Sequence, residues 1–241
     1  MTRAILSEVL RRMAARRPVV LATDLATGEA HLVDPFGDGA GVDAELFEAA
    51  RAAALRDVSV RLERATGALF LRVFNPSVQV LIVGAVHVAQ SLAPMVRLAG
   101  YDVLVVDPRR AFATADRFRG IPLSDEWPDE ALARAGLGRR TAVVTMTHDP
   151  KIDDPALAAA LRSEAFYVGA LGSKKTQAAR RDRLREMGFL EADLARIHGP
   201  VGLPIGSVST GEIAVSILSE LVAALRKAGE PLGPVGTARA S

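Results

Sequence analysis

The clearest pattern of apolar and polar positions lies between Val80 and Asp107. The run at residues 80–83 is short and β-branched, which is typical of a parallel strand covered on both faces. Gly84 follows, and the next apolar residues recur at helical spacing before a second apolar run at residues 103–106. A strand, a glycine turn, a helix and a strand ending in an acid, with roughly 20 residues between glycine and acid, predict a Rossmann βαβ unit.

The pattern on either side of this unit predicts two domains. Apolar runs at residues 141–146 and 166–170 predict further strands of the same sheet, separated by a helix that we expect to start at Asp154 and Pro155. The first 75 residues instead predict helices and hairpin strands. We therefore expect an α/β fold, with a Rossmann-like parallel-sheet domain at residues 77–241 preceded by a small α+β domain at residues 1–76.

Composition argues against a membrane-spanning protein, a nucleic-acid-binding protein and cysteine chemistry. Of the 241 residues, 49 % are hydrophobic, yet no apolar run approaches the ~18 residues that span a membrane. The first helix is amphipathic and lacks the apolar region of a signal peptide, so we expect a cytoplasmic protein without membrane contact. The net charge of +2 and the lack of interleaved aromatic and basic residues argue against nucleic-acid binding. Because cysteine is absent, the chain cannot use a disulfide, a zinc–thiolate site, a thiol nucleophile or a persulfide of its own.

Ligands of open parallel sheets bind outside the carboxyl ends of the strands. Four glycine-rich or polar segments fall there, and we predict that they form one ligand-binding crevice. We expect no catalytic residue and no metal ligand among them. The predicted binding residues are Gly84, Ala85, His87, Asp107, Arg109, Thr147, His148, Asp149, Gly169, Gly172, Ser173, Lys174 and Lys175.

The segment GALGSKKT, residues 169–176, is the most suggestive of the four. Its glycines allow close approach of a ligand, Ser173 can cap the following helix, and the helix start with its two lysines favours an anion such as a phosphate. The alternative is a capped, solvent-exposed basic helix. We expect the later arginines of that helix to form a solvated or partner-facing surface; they are Arg180, Arg181, Arg183 and Arg185.

The other candidates leave alternatives open. His148 and Asp149 are an acid–base pair, a ligand, or a polar loop in which Asp149 caps the turn before Pro150. His87 either faces the crevice or bonds a neighbouring loop. Asp107 is expected to orient a ligand hydroxyl or an adjacent loop. The dinucleotide fingerprint G-x-G-x-x-G/A is incomplete, since Val86 stands where the second glycine lets the backbone approach a pyrophosphate.

Five segments, in this order, resemble the xanthine dehydrogenase accessory factor family (XdhC/CoxI). They are LIVGAVHVA (residues 81–89), VVDPR (105–109), THDPKIDDPAL (147–157), FYVGALGSKKT (166–176) and PVGLPIGSVSTGEIAVSILSEL (200–221). The resemblance implies a C-terminal Rossmann domain and a protein that binds molybdenum cofactor. It also implies support of cofactor sulfuration by a cysteine desulfurase, and delivery to an enzyme of the xanthine or carbon monoxide dehydrogenase type.

The chain departs from the family pattern at two places. The family's Gly-Ala-Gly-His turn has Val86 in place of its second glycine, and the family's N-terminal Gly-Gly-Cys-x-Glu stretch corresponds best to residues 41–45, where Asp43 replaces the cysteine. Sulfur chemistry is therefore not expected of the N-terminal domain. The chain resembles a divergent paralogue that keeps the Rossmann half.

The residues and the resemblance together predict an assembly chaperone that binds molybdenum cofactor (molybdopterin) and supports its sulfuration and insertion into a molybdenum hydroxylase. The expected partners are the hydroxylase apoenzyme, a cysteine desulfurase, and a paralogous XdhC-type protein or a second copy of the chain. Two alternatives remain: an NAD(P)-binding oxidoreductase, and an interaction protein that has lost ligand binding.

Overall fold

The structure is a computed structural model that describes residues 2–227. These residues form two compact units, one of residues 2–76 with residues 226 and 227, the other of residues 77–225. The predicted second domain extends to residue 241, and its last part, residues 228–241, lies outside the described residues. Within residues 2–227, every helix is too short or too polar to span a lipid bilayer.

The first unit combines an antiparallel sheet with helices. The elements are α1 (Arg3–Ala14), β1 (Val19–Asp24), β2 (Ala30–Val33), α2 (Ala44–Arg56), β3 (Val60–Arg64) and β4 (Gly67–Phe74). The sheet order is β2-β1-β4-β3, with every neighbouring pair antiparallel. Leu46, Ala50 and Ala54 of α2 recur at helical spacing and are buried in the same cluster as Val20 and Leu71 of the sheet.

Asp43 has a structural role in this unit. Its Oδ1 accepts a hydrogen bond of 3.0 Å from the Leu46 N–H, which caps the start of α2. It also pairs with Arg64 at 3.1 Å. The hydrogen bond from Leu46, with Arg64 beside it, holds the pKa of Asp43 below its usual value.

The second unit alternates strands and helices. Its first half contains β5 (Gln79–Val83), α3 (His87–Leu98), β6 (Asp102–Val106), β7 (Leu123–Ser124), α4 (Pro128–Ala135) and β8 (Thr141–Thr145). Its second half contains α5 (Pro150–Leu161), β9 (Tyr167–Ala170), α6 (Lys174–Glu186), α7 (Glu191–Leu194), β10 (Ile197–His198) and α8 (Thr210–Lys227).

The six strands of this unit form one parallel sheet in the order β10-β9-β8-β5-β6-β7. Numbered along the chain from β5, the order from the β7 edge is 3-2-1-4-5-6, which is that of the Rossmann fold. The predicted α/β fold with a Rossmann-like parallel sheet is confirmed. The direction of chain progress reverses between β5 and β8, and ligands of such sheets bind at this switch point.

Alternate residues of the central strands support the helices on the two faces. Val80 and Ile82 of β5 lie in one buried cluster with Leu92 of α3 and Ile217 of α8. Leu81 and Val83 lie in the other with Leu157 of α5. The apolar run therefore has no polar alternation because both faces of the strand are covered.

The predicted start of the helix after β8 is wrong. Helix α5 begins at Pro150, five residues before the expected start, because the Asp149 carboxylate accepts the Lys151 N–H at 2.9 Å and Pro150 fills the first helical turn. Pro155 lies inside the helix.

Candidate functional site

The loops after β5 and β8 touch at the switch point of the sheet. Gly84 has φ +116°, and a Cβ added there would lie 2.7 Å from Thr147 Cγ2 and 3.2 Å from Thr147 N. The turn therefore requires a glycine both for its backbone conformation and for this contact. Val86 follows as the N-cap residue of α3 and provides no side-chain cap.

Asp107, at the end of β6, is fully buried. Its Oδ2 accepts the Ala85 N–H at 2.8 Å and Arg109 Nη2 at 2.8 Å. Its Oδ1 accepts the Arg109 N–H at 3.0 Å and Arg109 Nε at 2.9 Å. Burial alone would raise the pKa of Asp107, but these bonds from Arg109 and Ala85 keep it below its usual value. The carboxylate orients the two adjacent loops, which is one of the two roles that the sequence left open.

Arg109 connects this end of the crevice to the loop after β8. Its guanidinium lies 4.4 Å from the Phe112 ring centroid, and a third of its side chain is exposed. The bond to Asp107 raises the pKa of Arg109 against the opposing effect of burial, and the charges of Asp149 and Asp153 raise it further. Arg109 is therefore close enough to the β8 loop to respond to its carboxylates.

The β8 loop, which contains Thr147, His148 and Asp149, is wrapped around one buried carboxylate. Asp153 Oδ1 accepts the Thr147 N–H at 3.2 Å and its hydroxyl at 2.7 Å, and Oδ2 accepts the His148 N–H at 3.0 Å. These bonds hold His148 in a left-handed conformation with φ +64°, and its side chain is exposed. Asp149 is the N-cap of α5, so its capping alternative is present in the structure.

A buried polar network continues from Asp153 into α6. Arg180 Nη2 lies 3.3 Å from Asp153 Oδ2 and 3.2 Å from the Leu171 carbonyl, and Arg180 Nη1 donates to Gln177 Oε1 at 2.6 Å. Gln177 Nε2 donates to the Ala170 carbonyl at 2.8 Å. Burial raises the pKa of Asp153 and lowers that of Arg180, against their mutual attraction. The network ties the β8 loop to the turn before α6.

The expectation that Arg180 lies on a solvated surface is wrong, since it is 1 % exposed. Asp153, Gln177 and Arg180 were all missed as residues of the site. The available indication was spacing: Gln177, Arg180 and Leu184 recur on one face of α6, and all three are buried. An arginine on the apolar stripe of a helix requires a buried acid opposite it. Arg183 and Arg185, by contrast, form partly exposed pairs with Asp154 and with Asp182 and Glu191.

The turn between β9 and α6 contacts the β8 loop. Gly172 has φ +135°, and a Cβ there would lie 3.0 Å from Thr176 Cγ2 and 3.4 Å from His148 Nδ1. Ser173 caps α6, since its Oγ accepts the Thr176 N–H at 3.2 Å. Lys174 and Lys175 form the exposed first turn of the helix. The structure thus brings His148, Gly172, Ser173 and the two lysines together.

Two of the predicted residues are placed differently from the rest. Gly169 lies inside β9, where a Cβ would come within 2.7 Å of Val201 Cγ2 and 2.8 Å of Tyr167 Cε1, so it serves close packing. His87 is the exposed first residue of α3.

Within residues 2–227, no three His, Asp or Glu side chains are grouped in a way that could hold a metal ion.

His198 has partners that its sequence context did not reveal. Its Nδ1 lies 3.1 Å from Glu220 Oε1, and its ring centroid lies 4.5 Å from that of Tyr167. Glu220 Oε2 accepts the Tyr167 hydroxyl at 2.6 Å and the Gly202 N–H at 2.8 Å. Burial opposes the charge of Glu220, but bonds from Tyr167, Gly202 and His198 hold its pKa below the usual value. The cluster fixes the loop after β10 against α8.

Comparison with known proteins adds a family to this geometry. Residues 80–221 match the family described as the XdhC Rossmann domain. The chain is 31 % identical over 148 residues to the molybdenum cofactor insertion chaperone PaoD of Escherichia coli, which covers 61 % of this chain and 40 % of that protein. It is 27 % identical over 155 residues to a probable xanthine dehydrogenase subunit of Bacillus subtilis, covering 64 % and 45 %. The chain thus spans less than half the length of these relatives.

A crystal structure described as a xanthine dehydrogenase from Bacillus halodurans has a similar fold. The TM-score is 0.63 at 22 % sequence identity, and the alignment covers 93 % of this chain and 65 % of that one. At this level of identity the likeness concerns the fold.

Proposed function

Because the chain belongs to the XdhC family, whose Rossmann domain matches residues 80–221, we propose that it binds molybdenum cofactor and assists its insertion into a molybdenum hydroxylase. One observation carries the proposal: the matched region contains every residue of the predicted crevice. The name of the relative PaoD, a cofactor insertion chaperone, supports the same role. The resemblance inferred from the sequence and the family match agree.

The residues of the crevice suit a ligand with a phosphate and a polar heterocycle. The glycine turn, the start of α6 and the lysines at positions 174 and 175 suit the phosphate. The Nε of the buried Arg180 has no hydrogen-bond partner within residues 2–227, and its guanidinium bonds the Leu171 carbonyl in the same turn. His148, whose Nδ1 would lie 3.4 Å from a Cβ at Gly172, and the adjacent Asp149 could bind pterin edges.

We assign different roles to the remaining predicted residues. Asp107 and Gly84 position the loops, because the Asp107 oxygens already accept four bonds and Gly84 touches Thr147. Ala85 donates its N–H to Asp107, and Arg109, which bonds Asp107, keeps a third of its side chain exposed. We propose that Arg109 and the exposed His87 form the wall opposite the β8 loop. Gly169 supports the sheet below the site.

The proposed role is holding and transfer, not catalysis. Since the chain has no cysteine, any sulfur added to the cofactor must come from another protein, and we propose a cysteine desulfurase for that step. The proposed recipient is an apoenzyme of the xanthine or carbon monoxide dehydrogenase type in the cytoplasm. A paralogous XdhC-type protein or a second copy is a further proposed partner.

The direct test is retention of the cofactor. The protein is purified after incubation with molybdenum cofactor, oxidised, and measured for pterin fluorescence, with an established cofactor-binding chaperone as positive control. We expect fluorescence that co-elutes with the protein. Absence of fluorescence under conditions where the control retains it would overturn cofactor binding. A second assay compares activation of a hydroxylase apoenzyme by free cofactor with and without the chain, and an equal yield would overturn the insertion role.

An NAD(P)-binding oxidoreductase is the alternative that the Rossmann strand order favours. The saturated carboxylate of Asp107 opposes it, because a ribose hydroxyl would have to displace Arg109 or Ala85. Calorimetric titration with NAD(H) and NADP(H) separates the two functions. A dissociation constant in the micromolar range would favour the oxidoreductase.

A further inference from the structure

A cavity of about 300 Å³ lies beside α6, at the end of β10. Its size is at the lower end of the range of ligand pockets, roughly 300–1,000 Å³. The lining residues are Lys174, Gln177, Ala178, Arg181, Ile197 and Gly199. None of these residues is acidic. Only Lys174 belongs to the binding residues predicted from the sequence.

The cavity follows one face of α6, since its four helical lining residues have the spacing i, i+3, i+4 and i+7. Gln177 forms a fixed wall, because its amide is held by the Ala170 carbonyl and by Arg180. Gly199 lies directly against this wall, where an added Cβ would come within 2.5 Å of Gln177 Cδ. The small Ala178, which is exposed, leaves the space between the two cations open.

The two cations at either end of this face differ in how they are held. Arg181 Nη2 donates to the Leu194 carbonyl at 2.9 Å, so its guanidinium is positioned in advance. Glu191, whose pKa is lowered by its bond to Arg185 and also by the charge of Arg181, forms its ion pair with Arg185 at 2.5 Å. The Lys174 ammonium has no hydrogen-bond or ion-pair partner within residues 2–227. Within residues 2–227, neither cation of the cavity therefore forms an ion pair with an acid.

We propose that this cavity holds the phosphate group of the cofactor, with Lys174 and Arg181 as its two cationic contacts and Lys175 outside it. The inference rests on the proposed function, and it assigns the phosphate to the side of α6 that faces β10. A phosphate monoester is a dianion that suits one mobile ammonium and one preset guanidinium. The pterin then extends toward Gly172 and His148, over the start of the helix.

The test compares two probes on the full chain. One is the oxidised, fluorescent pterin of the cofactor with its phosphate, and the other is the same pterin after phosphatase treatment. We expect the wild-type protein to bind the phosphorylated probe more tightly. Lys174→Ala and Arg181→Ala should each lower the affinity for that probe about tenfold, the usual contribution of one charge-assisted contact. The affinity for the dephosphorylated probe should not change. Lys151→Ala, which removes the same charge from an exposed position on α5 that does not line the cavity, should keep the preference.

Ala178→Leu is a second variant that keeps every charge. It fills the cavity from an exposed helical position, so it should lower affinity for the phosphorylated probe without unfolding the protein, and it keeps the test decisive if Arg181→Ala unfolds. Equal binding of both probes by the wild-type protein would overturn this inference while leaving cofactor binding intact. An equal loss in Lys174→Ala and Lys151→Ala would also overturn it. If the wild-type protein bound neither probe, the proposed function itself would fail.

Discussion

The two ends of the crevice are built from the same kinds of residues but use them differently. At the β5–β6 end, the acid and the arginine satisfy each other, and Asp107 has no exposed surface. At the β8–β9 end, the buried acid Asp153 is matched by Arg180, and the lysines at positions 174 and 175 extend beyond this network, exposed. The comparison teaches that an acid at a position typical of ligand binding, here Asp107, can instead form all its hydrogen bonds within the protein. We therefore expect most ligand contacts at the β8–β9 end.

The largest expected effect comes from Asp153→Ala. This substitution leaves Arg180 buried without a counter-charge and frees the N–H groups of Thr147 and His148, so we expect the free energy of unfolding to fall by about 3–5 kcal/mol. Denaturant unfolding followed by fluorescence measures it, because Trp127, the only tryptophan, lies in the same unit.

The neighbouring residue provides the matched control for this prediction. Asp154 pairs with Arg183, whose side chain is 35 % exposed, so Arg183 can be solvated when Asp154 is replaced. Asp154→Ala should therefore cost only about 1 kcal/mol. Similar losses of unfolding free energy in the two variants would contradict the view that the buried Asp153 network holds the β8 loop against α6.

Some elements around this site could be predicted from the sequence and others could not. Strands β5 and β8 were predictable because uninterrupted apolar runs are required where both faces of a sheet are covered. Strands β7 and β10 have two residues each, too few to show any periodicity. The start of α5 was misplaced because two Asp-Pro pairs, at residues 149–150 and 154–155, offer the same local cap and only tertiary contacts distinguish them.

The chemistry of the site was less predictable than its place. The segments that meet in the crevice followed from the rule that parallel strands end at one edge. Burial of Arg180 could not be predicted from charge pattern alone, because its partner lies 27 residues away on another helix. Saturation of Asp107 likewise depends on the rotamer of Arg109, which local sequence does not determine.

A smaller effect is expected from Gly84→Ala, which acts where the two ends of the crevice meet. The new Cβ would combine a left-handed backbone with a 2.7 Å approach to Thr147 Cγ2, and we expect a loss of about 2–3 kcal/mol in unfolding free energy. Gly100→Ala is the control, since Gly100 has φ +80° with nothing within 4 Å, and it should cost about 1 kcal/mol. Adding Thr147→Ser to Gly84→Ala removes the clashing methyl and should recover part of the unfolding free energy that Gly84→Ala loses. No recovery would mean that the contact is not what requires the glycine.

The smallest effect is expected from Val86→Gly, which restores the second glycine of the dinucleotide fingerprint. Val86 is a partly buried N-cap residue, and glycine is tolerated at that position, so stability should change by about 1 kcal/mol or less. We expect no micromolar affinity for NAD(H) in calorimetric titration, because both Asp107 oxygens remain bonded to Arg109 and to Ala85. Val86→Ala controls for the loss of side-chain volume without the glycine backbone. If Val86→Gly alone bound NAD(H) tightly while pterin retention stayed unchanged, the β5–β6 end would be a dinucleotide site lost by a single substitution, and the contrast between the two ends would no longer hold.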